Sequence, residues 1–136
     1  KLPILWHAPQ SARKGNSASI TVETLLGDDP QAIVDELLAA LQAGHSPEAI
    51  AQTVAYAAAL RIARFHTSNE FGDWDTALHT FTFANAVHQG MRRAPSPELL
   101  RGVFDAAMSI YLDRFLVLAD LIPVADCTKS GKQQQA

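Results

Sequence analysis

A chain of 136 residues with 48% hydrophobic and 18% charged side chains is long enough to bury one core and too apolar to be disordered. Its 11 basic and 14 acidic residues give a net charge of −3. The basic pairs Arg13–Lys14 and Arg92–Arg93 are too small for a phosphate-binding surface, so no nucleic-acid partner is expected. The single cysteine, Cys127, excludes an intrachain disulfide and a thiolate zinc ribbon. No apolar run reaches the roughly 18 residues of a membrane span, and nothing reads as a signal peptide. A reducing, cytoplasmic setting with no membrane partner is the expectation. Lys1 in first place reads as a processed protein or as a domain of something longer.

Residues 1–17 show no period, carry Pro3, Pro9 and Gly15, and read as an extended arm whose Ile4-Leu5-Trp6 patch docks on the body or on another chain. Residues 18–26 fit a short helix or a short strand. One start signal then occurs three times, in DDPQAIVDELLAAL, HSPEAIAQTVAYAAAL and PSPELLRGVFDAAM. Each pairs a capping side chain (Asp29, Ser46, Ser96) with proline at the first helical position. The cap oxygen accepts from a free backbone N–H, and proline lacks an N–H where none is needed. Asp73, after Gly72, reads as a fourth cap. These signals predict helices over 30–43, 47–67, 74–92 and 97–121, with Gly44 ending the first and Pro123 stopping the last.

In the first helix Val34, Leu37, Leu38 and Leu41 form one apolar stripe. The second and third are apolar nearly all round, which places them at a bundle centre or in a subunit interface. Short connections predict antiparallel neighbours. The expected fold is all-α: a bundle of four main antiparallel helices over 18–122, an extended arm over 1–17 and a flexible tail over 123–136. A homo-oligomer or a partner redox domain is the expected company.

The stretch RFHTSNEFGDWDTALHTFTFANAVHQG, from Arg64 to Gly90, gathers His66, His79 and His88 with Glu70, Asp73 and Asp75. Asp75 and His79 stand one turn apart, where a carboxylate can orient an imidazole or share a cation with it. His66 and Glu70 have the same spacing, but Glu70 falls in an expected loop. His79 and His88 are nine residues apart, about 180° round a helix, so one ion cannot take both within a protomer. A non-haem metal ion would therefore need His66, Glu70, Asp75 and His79 to converge at the corner between the second and third helices. The Glu-x-x-His pairs of carboxylate-bridged bundle sites are absent, and the plainer reading is a helical corner with polar trim.

Arg61 and Arg64, at i and i+3 on an apolar helix, need partners. Glu70, Asp73, Asp75 and Asp113 are the carboxylates to hand. One reading is a structural ion-pair network tying this corner to the last helix. The other is a pocket for a small acidic or aromatic ligand, held by Arg61 and Arg64 with the polar tips of Tyr56 and Trp74. There is no GxSxG, no glycine-rich phosphate loop and no CxxCH. No catalytic set emerges, and whether the chain is an enzyme stays open.

The segment AYAAALRIARFHTSNEFGDWDTALHTFTFANAVHQGMRRAPSPELLRGVFDAAMSIYLDRFL resembles an all-helical region that accompanies bacterial Rieske-type iron–sulfur proteins. The likeness runs from about Gly44 to Phe115, about half of the chain. It implies a helical companion to a redox protein. A Rieske cluster needs two cysteines and two histidines, so with one cysteine no such cluster forms in this chain. GHSPEAIAQTVAYAAAL is similar to the G-S-x-E-E-I helix of the carboxymuconolactone decarboxylase and alkylhydroperoxidase-like family, which implies an all-helical, oligomeric architecture. The CxxC of that family's redox members is absent, so peroxidase chemistry is not implied. The expected function is a redox-associated helical domain that binds a metal ion or a small acidic or aromatic ligand at the corner. The alternative is a non-catalytic interaction or oligomerisation module.

Overall fold

The computed structural model describes residues 20–115. The arm at 1–17, the end of the last expected helix, Cys127 and the tail at 123–136 lie outside the described residues. The order of elements is α1 (Val22–Leu25), α2 (Pro30–Gln42), α3 (Pro47–Ala63), α4 (Phe71–Arg93) and α5 (Pro97–Leu112), closed by a 3-10 turn at Asp113–Phe115. Among the described residues the fold is all-α, with no strand, and no helix is long and apolar enough to cross a membrane. Within the 18–26 segment, open between helix and strand, Val22–Leu25 form the short helix α1.

The three proline starts form as their local chemistry dictates. Asp29 accepts from the N–H groups of Gln31 and Ala32. Ser46 accepts from Ala49 and Ser96 from Leu99, each at 3.1 Å. Gly44 ends α2 at φ +91°, a backbone conformation that costs a side-chain-bearing residue roughly 1–3 kcal/mol. The N–H of Gly44 reaches the carbonyl of Leu41 and that of His45 reaches Ala40, so two otherwise orphaned carbonyls are satisfied.

Two expected helix ends move. The second helix stops at Ala63, not 67, and the third begins at Phe71, not 74. Asp73 is not the cap of α4. Glu70 occupies the N-cap position, and its backbone N–H donates to the Asp73 carboxylate three residues on, at 3.0 Å. Asp73 does cap-like work, but from inside the first turn.

The core is built from Leu25, Ile33, Leu37, Ile50, Val54, Met91, Leu100, Val103 and Ile110, all fully buried. In α2 the buried stripe is Ile33, Leu37, Ala40 and Leu41, with Val34 and Leu38 only half-buried. The expected stripe is thus turned by one position, because α1, α3 and α5 approach α2 from the Ile33 side. The backbone N–H of Thr21 donates to the Glu36 carboxylate and so ties the start of α1 to α2.

α3 packs most extensively on α4 and also on α5. Its inner face carries Ala51, Ala55, Ala57 and Ala58 beside Ile50 and Val54, so neighbouring backbones come close. α4 divides in two. Its C-terminal half buries Ala84, Val87 and Met91, whereas Ala77 is its one buried residue before Ala84. The all-round apolar character of α4 therefore does not put it wholly inside. Its first turns stand against α3 on one side and open to solvent on the other.

Candidate functional site: the corner between α3 and α4

The chain leaves α3 at Arg64 and enters α4 at Phe71 through a turn stapled by short-range bonds. Asn69 is buried, and its amide donates to the His66 carbonyl at 3.0 Å. The Ser68 N–H donates to His66 Nδ1 at 3.0 Å, and the Ser68 hydroxyl stands 2.8 Å from the same nitrogen. His66 Nδ1 is thus an acceptor held by Ser68, which leaves Nε2 as the N–H of the neutral ring. A ligating His66 would have to give up this arrangement or change tautomer. Phe65 is buried and meets Trp74 edge-to-face at 4.9 Å between ring centres, fixing the corner angle.

Asp75 and His79 form the expected i, i+4 pair, with Oδ2 and Nε2 3.5 Å apart. Both are exposed, His79 to 77% of its side chain, so the pair is a weak, solvent-screened contact. His88 lies on the opposite side of α4 and is half-buried. Glu70 is exposed at the N-cap. Of the four residues expected to share a metal ion, the structure joins Asp75 to His79 and leaves His66 and Glu70 engaged in the turn. Among the described residues no group of three or more His, Cys, Asp or Glu side chains is placed to hold a metal ion.

The arginines part company. Arg64 reaches Glu23 on α1 at 3.1 Å and stays partly exposed. Arg61 is 3% exposed; it donates to the Leu26 carbonyl at 3.2 Å, and its Nε has no hydrogen-bond partner. Asp113, at the end of α5, is buried beside it and accepts from the Thr80 hydroxyl at 2.6 Å. Burial lowers the Arg61 pKa; the nearby charge of Asp113 opposes that shift, and Arg64 and Arg114 add to it. Burial likewise raises the Asp113 carboxyl above the usual carboxylate range, against the Thr80 hydrogen bond and the Arg61 charge.

Of the expected network, Arg64 forms an ion pair, but with Glu23 on α1, and Asp113 acts on Arg61 through its charge. Asp113 is one of the four carboxylates expected, but Glu23, Thr80 and the Leu26 carbonyl were not foreseen. They lie 41, 33 and 35 residues from their partners, where no local pattern signals them. The expected ligand set does not share one surface. Arg61 points inward, Arg64 points to α1, and Trp74 rests on Phe65. Tyr56 is exposed on the outer face of α3, about 140° round the helix from Arg61.

What the corner does present is apolar. Phe71, Trp74 and Leu78, at i, i+3 and i+7, line one side of α4 and are 85%, 37% and 53% exposed. Trp74 is the least exposed of the three, since it also packs on Phe65.

No family model matches this chain, and neither the curated proteins nor the solved structures compared with it contain a match. The likenesses to the Rieske-accompanying region and to the carboxymuconolactone decarboxylase-like family thus rest on the quoted segments alone.

Proposed function

We propose that this chain is a non-catalytic helical interaction module, a four-helix antiparallel bundle that docks a partner on the first half of α4. The observation that carries this reading is the exposed row Phe71, Trp74 and Leu78. Burying a large apolar side chain contributes about 1.5–3 kcal/mol, and three on one helix face are enough to anchor a contact. The polar residues around the row serve the fold: Asn69 and Ser68 set the turn, Asp73 closes the first turn of α4, and Arg61, Asp113 and Thr80 join α3, α5 and α4.

A second reading keeps the corner as a ligand site. It draws on the Asp75–His79 pair, two donors of a metal site already side by side. His66 would join by releasing Ser68, and Glu70 by leaving the cap. Elemental analysis and a sedimentation mass on one purified sample separate the readings. The module reading expects association that depends on concentration and is weakened by Leu78→Glu. Near-stoichiometric iron, zinc or manganese that is lost in His79→Ala, with helical circular dichroism unchanged, would replace it with the metal reading.

A further inference from the structure

We propose that Asp113 makes the end of α5 a pH-sensitive latch: the closing turn stays seated while this side chain is neutral and lifts more readily once it ionises. Asp113 is the one buried residue of the Asp113–Phe115 turn. Phe115 in the turn is 77% exposed, and Leu112 before it is 64% exposed. Arg114 engages its own segment. It donates to the Tyr111 carbonyl at 3.1 Å and lies over the rings of Tyr111 and Phe115. Contacts of that kind survive when the turn lifts. Among the described residues, the hydrogen bond from the turn to another helix is the one Asp113 accepts from Thr80 of α4, at 2.6 Å. A turn anchored by one buried side chain opens without unfolding the helices behind it.

The anchor is an acid in a seat that suits its neutral form. Burial is the largest cause raising the Asp113 pKa. Asp113 also stands at the C-terminal end of α5, where the helix dipole opposes a negative charge. The Thr80 hydrogen bond and the charge of Arg61 favour the ionised form, and they do not outweigh burial. The other charged groups at this junction are Arg64 on α3, paired with Glu23 of α1, and Arg114 in the turn itself.

In the lifted turn the carboxyl meets water and titrates as an ordinary aspartate. The seated form therefore holds the proton more tightly than the lifted one. Raising the pH through the interval between the two values moves the population toward the lifted form. The shift is about tenfold for each pH unit that separates those values. Acid closes the latch, and neutral pH loosens it.

The test is hydrogen–deuterium exchange of the full chain between pH 4 and pH 7, with each rate divided by that of the unstructured peptide at the same pH. The amides of Leu112–Phe115 are expected to lose protection as the pH rises, and to exchange faster than those of Val103–Ile110 throughout. Asp113→Asn, neutral at every pH, is expected to keep at pH 7 the protection that the wild type shows at pH 4. Thr80→Val removes a bond that favours the ionised carboxyl, so it is expected to deepen the loss; circular dichroism checks the fold of both variants. Four outcomes overturn the inference: wild-type protection that stays flat over the range; a loss that persists in Asp113→Asn, which would assign it to another group such as His79; turn amides that exchange no faster than those of Val103–Ile110, so that the turn opens only with the whole fold; and a loss that Thr80→Val leaves unchanged.

Discussion

Arg61 and Asp113 carry opposite charges into the interior, and neither is fully satisfied by the other. Arg61 gives one hydrogen bond to the Leu26 carbonyl while its Nε has none, and Asp113 is held by Thr80. Burial acts against both charges, and their mutual attraction returns part of the loss. A double-mutant cycle with Arg61→Met and Asp113→Asn is therefore expected to show a coupling on the order of 1 kcal/mol, each single change costing more than it does in the other's background. The pH dependence has a definite sign. The Asp113 carboxyl is raised in the folded chain, so its stabilising contribution is fully present below the ordinary carboxylate range and is lost as pH rises through the folded value. Urea titrations should show Asp113→Asn gaining on the wild type between pH 4 and pH 7. A difference between the two that stays flat over that range would show that Asp113 is not held above its ordinary value. Arg61→Met alone removes the positive charge that opposes the shift, so it is expected to move the window to higher pH.

The contact between α4 and α5 is set by a reciprocal pair of glycines. A Cβ on Gly102 of α5 would stand 3.2 Å from Val87 Cγ2, and a Cβ on Gly90 of α4 would stand 3.3 Å from the Leu99 methyls. Each glycine receives a large side chain of the other helix. Val87 is β-branched and nearly fixed in one rotamer on a helix, so it cannot turn away cheaply. Gly102→Ala gains about 1 kcal/mol of helix propensity but overpacks at a cost of roughly 1–3 kcal/mol, so a net loss of about 1 kcal/mol is expected. In a Val87→Ala background the same substitution should become stabilising, and a sign that does not invert in chemical denaturation would disprove the contact's role. At this scale much was legible beforehand, for a physical reason. Asp29, Ser46 and Ser96 with their prolines act within three residues, and Gly44 acts on its own φ. The start of α4 was misplaced because Glu70 and Asp73 share the capping, and the sequence does not say which lies outside the helix. The turned stripe of α2 and the bonds from Arg64 to Glu23 and Thr80 to Asp113 depend on how distant elements meet, which no local pattern records.

For the whole molecule, the sequence showed α4 as apolar almost all round, and two physical situations produce that pattern. One half of the helix fits the first, with Ala84, Val87 and Met91 in the core; the other half fits the second, with Phe71, Trp74 and Leu78 facing solvent. Clustered histidines and acids are the residue types of a metal site, yet Asp75 and His79 form an exposed pair beside that apolar row. On the proposed reading of the chain as a self-associating interaction module, association and folding are linked, because a partner that binds only the folded chain stabilises it. The melting temperature of the wild type is expected to rise with protein concentration, by a few degrees for each tenfold increase once the dimer is populated. Leu78→Glu should abolish that dependence and, in dilute solution, melt within about two degrees of the wild type, since an exposed substitution away from the core stays within about 0.5 kcal/mol. Scanning calorimetry over a hundredfold concentration range reads both. A wild-type midpoint that does not move with concentration, in a chain that nevertheless sediments as a dimer, would place the interface where it adds nothing to folding, away from the helix that bridges the core and the exposed row.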